Sequence, residues 1–366
     1  MSTTSTGEAR IVVIAAPRHV ETITRPLPPL GDGDVLVAAL RSGISHGTEM
    51  NVYRGLAPQW RKRYDRDLRL FVPVDAAAPA EPPARGYWTA GDTHWDYPLA
   101  YGYANVGRVE RVGRDVRGLR PGDLVYAYQP HQSRWVVPAA QAIPLPELAD
   151  PAIGVLYSNL NTAYGGVLDA DIRLDDTVVV FGQGLVGLLV TQYLKHRSAA
   201  ARVVTVEGIA RRRELSRRFG ADLCLDPAAT DVALEVRRLT GNRGADVVIE
   251  ASGSYHALQE AIRTAAPNTT VVALSWYGGT GGPLALSDEF HHNRVTVKSS
   301  QVGGIDPALA ATHSLTRRAE HVRGWFADLD LAPLITDVVP FADAARAYDR
   351  VDHPAEETVQ VVLAYD

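Results

Sequence analysis

Three glycines near the middle of the chain are spaced for contact with a phosphate group. Gly182, Gly184 and Gly187 form the pattern G-x-G-x-x-G within "VVVFGQGLVG". The apolar run before them predicts a strand and the run after them predicts a helix, which is the context in which this pattern binds dinucleotides. Gly182 permits a tight turn, Gly184 allows close approach of a pyrophosphate, and Gly187 lets the helix pack against the strand. The free N–H groups that begin the helix then face the phosphates.

A carboxylate at the end of the next predicted strand favours one form of the cofactor. Glu207 ends "RVVTVE", 20 positions after Gly187. A carboxylate there accepts hydrogen bonds from the adenosine ribose and repels a 2′-phosphate, so NAD(H) is favoured over NADP(H). Arg211, Arg212 and Arg213 follow, and arginine pairs with phosphate. These arginines could equally be solvated side chains in the first turn of a helix, so NADP(H) stays open as the alternative.

The apolar rhythm of the chain changes between the two regions that must position these residues. Residues 10–145 show short alternating runs broken by glycine and proline, which predict an all-β domain folded as a compact barrel. From about residue 151, uniformly apolar strands alternate with helical patterns. Such strands are buried on both faces, which predicts a parallel sheet covered by helices. The predicted fold class is therefore α/β.

The same changes in pattern predict the domain limits. We expect a catalytic domain at 1–156 with an irregular insertion at about 54–98, a dinucleotide-binding domain at 157–305, and a return to the first domain at 306–366. The insertion is rich in tyrosine and tryptophan, which could form a lid over a ring-shaped or sugar-like substrate or could pack in the core.

Composition excludes several classes of partner. The net charge is -5 with no basic tail, so we expect no nucleic-acid partner. The opening "MSTTSTGEAR" contains no apolar core of signal-peptide length, and no run of about 18 apolar residues occurs in the chain. We therefore expect a cytoplasmic protein without a membrane partner. The single cysteine, Cys224, excludes an internal disulfide and a Cys-rich zinc lobe.

Three longer segments resemble the medium-chain dehydrogenase/reductase family. They are "GYANVGRVERVGRDVRGLRPGDLVYA" at 102–127, "TAYGGVLDADIRLDDTVVVFGQGLVG" at 162–187 and "KSSQVGG" at 298–304. The loop "SGISHGTE" at 42–49 is similar to the S-G-I-S-x-G-T-E loop of a zinc-free branch that includes bacteriochlorophyllide dehydrogenase-like and alcohol dehydrogenase-like proteins. The resemblance implies a GroES-like β-barrel domain followed by a Rossmann domain. It also implies a homodimer that pairs the edge strands of the nucleotide domain.

The resemblance identifies the positions at which zinc-dependent members bind their metal. The first ligand position matches Ser45 or His46, the second matches Tyr103, and the third, four residues before Thr162, matches Ser158. A catalytic zinc needs three nitrogen, sulfur or carboxylate ligands with one open position. At most one is present here, so we predict that no zinc or other metal is bound.

Without a metal, hydroxyl and imidazole groups must handle the proton of the reaction. The candidate catalytic residues are Ser45, His46, Thr48, Tyr103 and Ser158. A proton relay ending in His46 is one option because imidazole titrates near neutral pH, and direct donation from Tyr103 is another. Alternatively, His46 binds the pyrophosphate, Thr48 and Glu49 only shape the loop and cap a short helix, and Tyr103 is a packed aromatic residue.

The resemblance also implies a set of cofactor contacts. Arg212 matches a basic residue that touches the adenosine ribose, and residues 300–302 match the backbone that holds the nicotinamide carboxamide. Leu274 and Val302 could equally be core residues. The full predicted cofactor set is Thr162, Gly182, Gly184, Leu185, Val186, Gly187, Glu207, Arg212, Ala251, Ser252, Leu274, Ser275, Trp276, Ser300, Gln301 and Val302.

These features predict a zinc-independent NAD(P)(H)-dependent oxidoreductase that interconverts a secondary alcohol and a ketone. The expected small-molecule substrate is a specialised metabolite such as a cyclitol, a sugar-like compound or a macrocycle. One alternative is reduction of an activated C=C bond, which zinc-free relatives also perform. Another is a non-catalytic protein whose NAD(P)H binding regulates a partner.

Overall fold

The computed structural model describes residues 7–74, 95–198, 200–279, 281–282, 284–355 and 357–366. These residues divide into two compact units. The first contains the described residues up to Tyr157 together with those from Ala332 onward, and the second is Ser158–Leu331. The domain limits expected from the sequence differ at two places, because Tyr157 belongs to the first unit and residues 306–331 belong to the second.

The strands and α-helices of the two units have the following bounds. The strands are β1 (Glu8–Ala16), β2 (His19–Pro26), β3 (Asp34–Ile44), β4 (Lys62–Asp65), β5 (Leu70–Pro73), β6 (Asn105–Val112), β7 (Leu124–Ala127), β8 (Arg134–Pro138), β9 (Ile143–Pro144), β10 (Thr177–Phe181), β11 (Arg202–Val206), β12 (Leu223–Leu225), β13 (Val247–Glu250), β14 (Thr270–Ala273), β15 (Thr296–Ser299), β16 (Ile335–Pro340) and β17 (Gln360–Ala364). The helices are α1 (Thr48–Tyr53), α2 (Tyr157–Asp169), α3 (Leu185–Arg197), α4 (Ala210–Arg218), α5 (Val232–Leu239), α6 (Tyr255–Thr264), α7 (Leu315–Asp328) and α8 (Ala344–Asp352). In the residues that the structure describes, no helix combines the length and the apolar character needed to span a bilayer.

Strand β3 is central to the main sheet of the first unit, whose strand order is β16-β17-β3-β6-β7-β9. Residues 34–38 of β3 pair with β8, and residues 41–44 pair with β17. Strands β16 and β17 are parallel, and the other pairs in this sheet are antiparallel. Val35 and Val37 point into a core that also contains Trp135. The last segment of the chain therefore completes the sheet that β3 begins.

Aromatic residues of the insertion pack against the core of the first unit. The Trp60 and Tyr97 rings stack with their centroids 4.2 Å apart, and Trp95 meets Tyr101 edge-on at 5.5 Å. Trp95 and Tyr101 are buried in the core, and Trp60 and Tyr97 pack against it. These four residues favour the core-packing alternative over a lid. Residues 75–94, including Tyr87 and Trp88, lie outside the described part of the chain.

The second unit contains the parallel sheet that the sequence predicts, which confirms the α/β class. Its strand order is β12-β11-β10-β13-β14-β15, and each neighbouring pair is parallel. Strands β10 and β13 are buried along their whole length, as their apolar sequences require. The strand order reverses between β10 and β13. Open α/β sheets bind their ligands at such a switch point, beyond the carboxyl ends of the strands.

Candidate functional site

The phosphate loop, residues 182–187, lies at the switch point of the second unit. Gly182 has φ +84°, and a Cβ there would lie 2.7 Å from the Ser252 Cβ, so the loop after β10 touches the loop after β13. A Cβ on Gly187 would lie 1.9 Å from the Gly182 carbonyl oxygen, so only glycine lets α3 begin against β10. No atom lies within 4 Å of the Cβ position of Gly184. The three glycines therefore provide the tight turn, the close packing and the open backbone that a pyrophosphate requires.

Glu207 is held beside the phosphate loop at the carboxyl end of β11. Its Oε2 accepts a hydrogen bond from the Gln183 N–H at 2.7 Å, and its Oε1 accepts from the Ile209 N–H at 2.9 Å. A carboxylate has about four lone-pair sites, so these two bonds leave acceptor capacity for ribose hydroxyls. The position and chemistry of Glu207 fit the adenosine end of a dinucleotide.

The three arginines after Glu207 have different surroundings. Arg213 donates to the Glu207 carbonyl at 2.8 Å and pairs with Asp226 at 3.0 Å, so it holds the β11–α4 connection in place. Arg211 forms an exposed pair with Glu214 at 2.6 Å. Burial lowers the pKa of the Arg212 guanidinium, and the negative charge of Glu207 opposes that shift. Arg212 is thus the arginine of the three whose pKa is influenced by Glu207, and its contact with an adenosine ribose stays a prediction.

A buried carboxylate shapes the loop after β13. Glu250 is fully buried and accepts hydrogen bonds from the Ser252 N–H at 2.7 Å and from the Ser252 hydroxyl. It also accepts from the Tyr277 hydroxyl, and burial together with the Glu250 charge raises the pKa of Tyr277. Ala251 is half-buried and Ser252 is exposed. Glu250 therefore fixes the two predicted cofactor residues at this strand end, although the sequence analysis did not select it.

The residues after β14 divide into core and surface positions. Leu274 is buried, and its side chain lies 2.8 Å from the Cβ position of Gly166, so it is a packing residue. Ser275 is half-buried, whereas the Trp276 side chain is 37% exposed. A contact between cofactor and Leu274 would therefore have to use its backbone.

Two further predicted cofactor positions contact helix α2. The Ser300 hydroxyl donates to Asp169 Oδ2 at 2.5 Å, and the Ser300 N–H continues the sheet by donating to Ala273 at 2.9 Å. Thr162 donates its hydroxyl to the Ser158 carbonyl at 3.1 Å, one turn earlier in α2. Ser158 itself is buried. Gln301 is exposed and Val302 is half-buried, and both belong to the turn that follows β15.

The proposed catalytic loop of the first unit connects β3 to α1. Ser45, His46 and Thr48 are half-buried. Of the alternative in which Thr48 and Glu49 shape the loop and cap a short helix, the structure shows the loop-shaping part for Glu49, whereas the cap position of α1 is Gly47. The Glu49 carboxylate reaches back to accept from the Ser45 N–H at 3.0 Å. Tyr103, which precedes β6, is buried, and this supports the packed alternative for its ring.

The loop is connected to a set of hydrogen-bonded polar side chains that are fully or nearly fully buried. We call this set the Glu49 network, and its members are Ser42, Glu49, His131, Tyr348 and Tyr365. Glu49 Oε1 is 2.8 Å from His131 Nε2 and accepts a hydrogen bond from the Tyr348 hydroxyl. His131 Nδ1 is 2.6 Å from the Ser42 hydroxyl, which is 2.8 Å from the Tyr365 hydroxyl. Every member is therefore hydrogen-bonded to another member.

The buried carboxylate is the acceptor at the centre of the Glu49 network. An ionised carboxylate only accepts, so His131 Nε2 and the Tyr348 hydroxyl are its donors. In the contacts from His131 Nδ1 through Ser42 to Tyr365, either partner can be the donor. Burial and the Glu49 charge raise the pKa of Tyr348, which keeps that phenol protonated as a second donor. The network thus satisfies the buried carboxylate without solvent.

His131, Tyr348 and Tyr365 are site residues that sequence reasoning missed. His131 is 82 positions from Glu49, and Tyr348 is 299 positions from it, so no local pattern relates them. A Cβ on Gly102 would lie 2.8 Å from the His131 ring. The network therefore lies directly beside the segment that contains Tyr103, the position matched to the second zinc ligand of the family.

The donor groups present do not fit a zinc ion. Within the described ranges, no group of three or more His, Cys, Asp or Glu side chains is arranged to hold a metal ion. Of the residues at the matched zinc positions, Ser45, His46, Tyr103 and Ser158, only His46 is a usual zinc ligand. His131 cannot add to the set, because both of its ring nitrogens are hydrogen-bonded within the Glu49 network.

Known proteins share both the sequence pattern and the fold. A family model described as zinc-binding dehydrogenase matches residues 186–316. The D-guloside 3-dehydrogenase of Escherichia coli (strain K12) is 29% identical over 364 residues, covering 97% of this chain and 99% of that protein. A dehydrogenase structure from Sinorhizobium meliloti 1021 bound to NADP has a TM-score of 0.73 at 21% identity, covering 98% of this chain and 99% of the other. An alcohol dehydrogenase structure from Escherichia coli CFT073 with NADH has a TM-score of 0.73 at 20% identity, with the same coverage.

These matches support placing the chain in the medium-chain dehydrogenase/reductase family. Its fold is that of these dehydrogenases, with a GroES-like domain and a Rossmann domain. Contact of the phosphate loop and Glu207 with a cofactor stays a prediction.

Two glycine substitutions in the phosphate loop should affect different quantities: one the free energy of unfolding and the other the affinity for NADH. Gly187→Ala is expected to lower the free energy of unfolding by about 2–3 kcal/mol, because the new methyl group overlaps the Gly182 carbonyl. Gly184→Ala should change it by only about 0.5 kcal/mol but weaken NADH binding about tenfold, since its methyl group enters open space. Urea denaturation and calorimetric titration measure the two quantities. Equal loss of stability in both variants would contradict the assignment.

The Glu49 network should behave as one energetic unit. His131→Leu is expected to lower the free energy of unfolding by about 3–5 kcal/mol, because it deprives a buried carboxylate of a donor. Glu49→Leu should cost about 2–3 kcal/mol, and the double variant should lose less than the sum by about 1–3 kcal/mol. Urea denaturation of the four proteins gives this coupling energy. Additive losses would show that the two side chains do not act together.

Proposed function

We propose that this protein is a zinc-independent, nicotinamide-dependent oxidoreductase that interconverts a secondary alcohol and a ketone. The observation that supports this most strongly is the contrast between the phosphate loop and the positions matched to the zinc ligands. The phosphate loop has all the features of a dinucleotide site, whereas serine or histidine, tyrosine and serine occupy the positions of the three zinc ligands. The zinc-free branch of the family is therefore the proposed place of this chain.

The proposed cofactor is NAD(H) rather than NADP(H). The Glu207 carboxylate is fixed by two backbone N–H groups and cannot turn away from a nearby 2′-phosphate without losing them. Two of the three following arginines are already paired with acidic side chains of their own unit. The structural relatives include one with NADP and one with NADH, so fold alone does not decide the preference.

The proposed substrate is sugar-like. The relative D-guloside 3-dehydrogenase spans nearly the full length of this chain, and its name denotes oxidation at carbon 3 of a guloside, which is a secondary alcohol. A sugar-like ring is therefore favoured over the cyclitol and macrocycle classes that the sequence left open.

The chain's own residues must supply the proton that a zinc-bound group would otherwise control. When bound, the nicotinamide donates or accepts the hydride. Reduction of a ketone then leaves an alkoxide that requires one proton, and oxidation of the alcohol releases one. We assign this proton to the imidazole of His46, which lies in the same loop as Ser45. Glu49 holds that loop through the Ser45 N–H, so the Glu49 network positions the proton donor without touching the substrate.

Metal analysis tests the zinc-free part of the proposal. Protein purified in the presence of zinc should contain less than about 0.1 zinc per chain after desalting, because the donor set cannot form a tetrahedral site. Turnover of glycosides and their ketones with NAD(H) should be the same before and after dialysis against a chelator. One zinc per chain, lost together with activity on chelation and restored by zinc, would refute the proposal.

The cofactor preference can be tested by substituting Glu207. Wild-type protein should bind NADH at least about tenfold more tightly than NADPH, and Glu207→Ser should reduce this ratio about tenfold by removing the charge that repels the 2′-phosphate. Calorimetric titrations with both cofactors measure the ratio. Glu214→Ser on α4 is the matched control, since this exposed glutamate pairs with Arg211, and it should leave the ratio unchanged. Tighter NADPH binding by the wild type would reverse the assignment.

A further inference from the structure

Arg318 is a buried cation that contacts the turn after β15. It lies in the first part of α7 and is 6% exposed. Its Nη1 donates to the Gly304 carbonyl at 3.2 Å, and its Nη2 donates to the Val302 carbonyl. A single guanidinium thus binds two backbone oxygens that are two residues apart. The planar fork of arginine suits this task, whereas the single ammonium of lysine does not.

Helix α2 forms the other wall around this guanidinium and the turn. A Cβ on Gly165 would lie 3.4 Å from Arg318 Nη1, so the α2 backbone closely approaches the guanidinium. Asp169, the last residue of the same helix, accepts from the Ser300 hydroxyl at 2.5 Å. Residues 300–304 are therefore held by α2 at one end and by α7 at the other.

These contacts fix the orientation of the peptide groups in the turn. A trans peptide is planar, and its carbonyl and N–H point in opposite directions. Because Val302 and Gly304 direct their carbonyls towards Arg318, the planes of their peptide groups are set. The Gly303 and Gly304 N–H groups bond to Gln301 within the turn. Arg318 thus sets the peptide groups that follow Val302 and Gly304, and Ala273 accepts from the Ser300 N–H, so the turn is held at both ends with the Gln301 side chain exposed.

We propose that Arg318 is a positioning residue that shapes the turn at 300–304 into a receptor for the nicotinamide carboxamide. The carboxamide needs both a donor and an acceptor from the backbone, and these are correctly placed only if the peptide planes keep their orientation. Arg318 therefore determines recognition of the nicotinamide half of the cofactor, while the phosphate loop and Glu207 recognise the adenosine diphosphate half. The inference rests on the proposed nicotinamide cofactor and on the family role of residues 300–302.

The experiment compares two ligands that share the adenosine diphosphate and the second ribose and differ only in the nicotinamide. Calorimetric titration with NADH and with ADP-ribose, which lacks nicotinamide, is performed on the wild type, Arg318→Met and Arg318→Lys. Arg318→Met should weaken NADH binding about tenfold and leave ADP-ribose binding within about twofold of the wild type, because only the carboxamide contacts are lost. Arg318→Lys should show a smaller loss, again for NADH alone.

Arg317→Met is the matched control on the same helix. Arg317 is exposed, and its guanidinium donates to the Thr312 carbonyl outside the turn, so its loss should leave both affinities unchanged. Equal weakening of NADH and ADP-ribose in both Arg318 variants would show a general structural role and overturn the inference. Unchanged NADH binding in Arg318→Met would also overturn it. Failure of the wild type to bind either ligand would instead refute the proposed cofactor itself.

Discussion

A carboxylate without access to solvent determines the arrangement of the first unit. Glu49 is fully buried, and an unpaired charge in such a place would cost several kcal/mol. One of its three donors is local, the Ser45 N–H of the loop, and two come from distant parts of the chain, the His131 imidazole and the Tyr348 hydroxyl. The segment that returns to this unit at Ala332 completes the Glu49 network. Helix α8 provides Tyr348, and the segment after β17 provides Tyr365. Side chains from the C-terminal part of the chain thus support Glu49, which holds the loop that contains His46.

The second unit meets a different constraint, which is the close approach of backbone atoms. Gly182 touches Ser252, and Gly187 touches Gly182, so side chains at either glycine would separate β10 from α3 or from the loop after β13. The same compactness leaves Gly184 facing open space. The proposed cofactor site thus depends on glycines, which have no side chain. The proposed proton chemistry depends on a loop that buried polar side chains hold.

The cofactor end could be predicted because its residues are close together in the sequence. The strand, the three glycines, the helix and Glu207 lie within one short β-α-β stretch, and their pattern alone predicts their contacts. The Glu49 network could not be predicted in this way. Its members lie up to 323 positions apart, and an isolated histidine such as His131 has no distinguishing neighbours. The contacts of Arg318 could not be predicted either, because its partners are backbone carbonyls, and every type of residue has one. The alternative in which Thr48 and Glu49 shape their loop holds for Glu49, which accepts from the Ser45 N–H, but the cap position of α1 is Gly47.

The central claim is that a hydride passes between a nicotinamide and the carbinol carbon of a sugar-like substrate without help from zinc. The most direct measurement follows deuterium from NADH labelled at carbon 4 into the product, with zinc-depleted protein and a panel of keto-glycosides and enones. Nuclear magnetic resonance of the product should show one deuterium on the new carbinol carbon, formed from the ketone. Deuterium on a saturated carbon that was part of a C=C bond, or transfer only after zinc is restored, would contradict the claim.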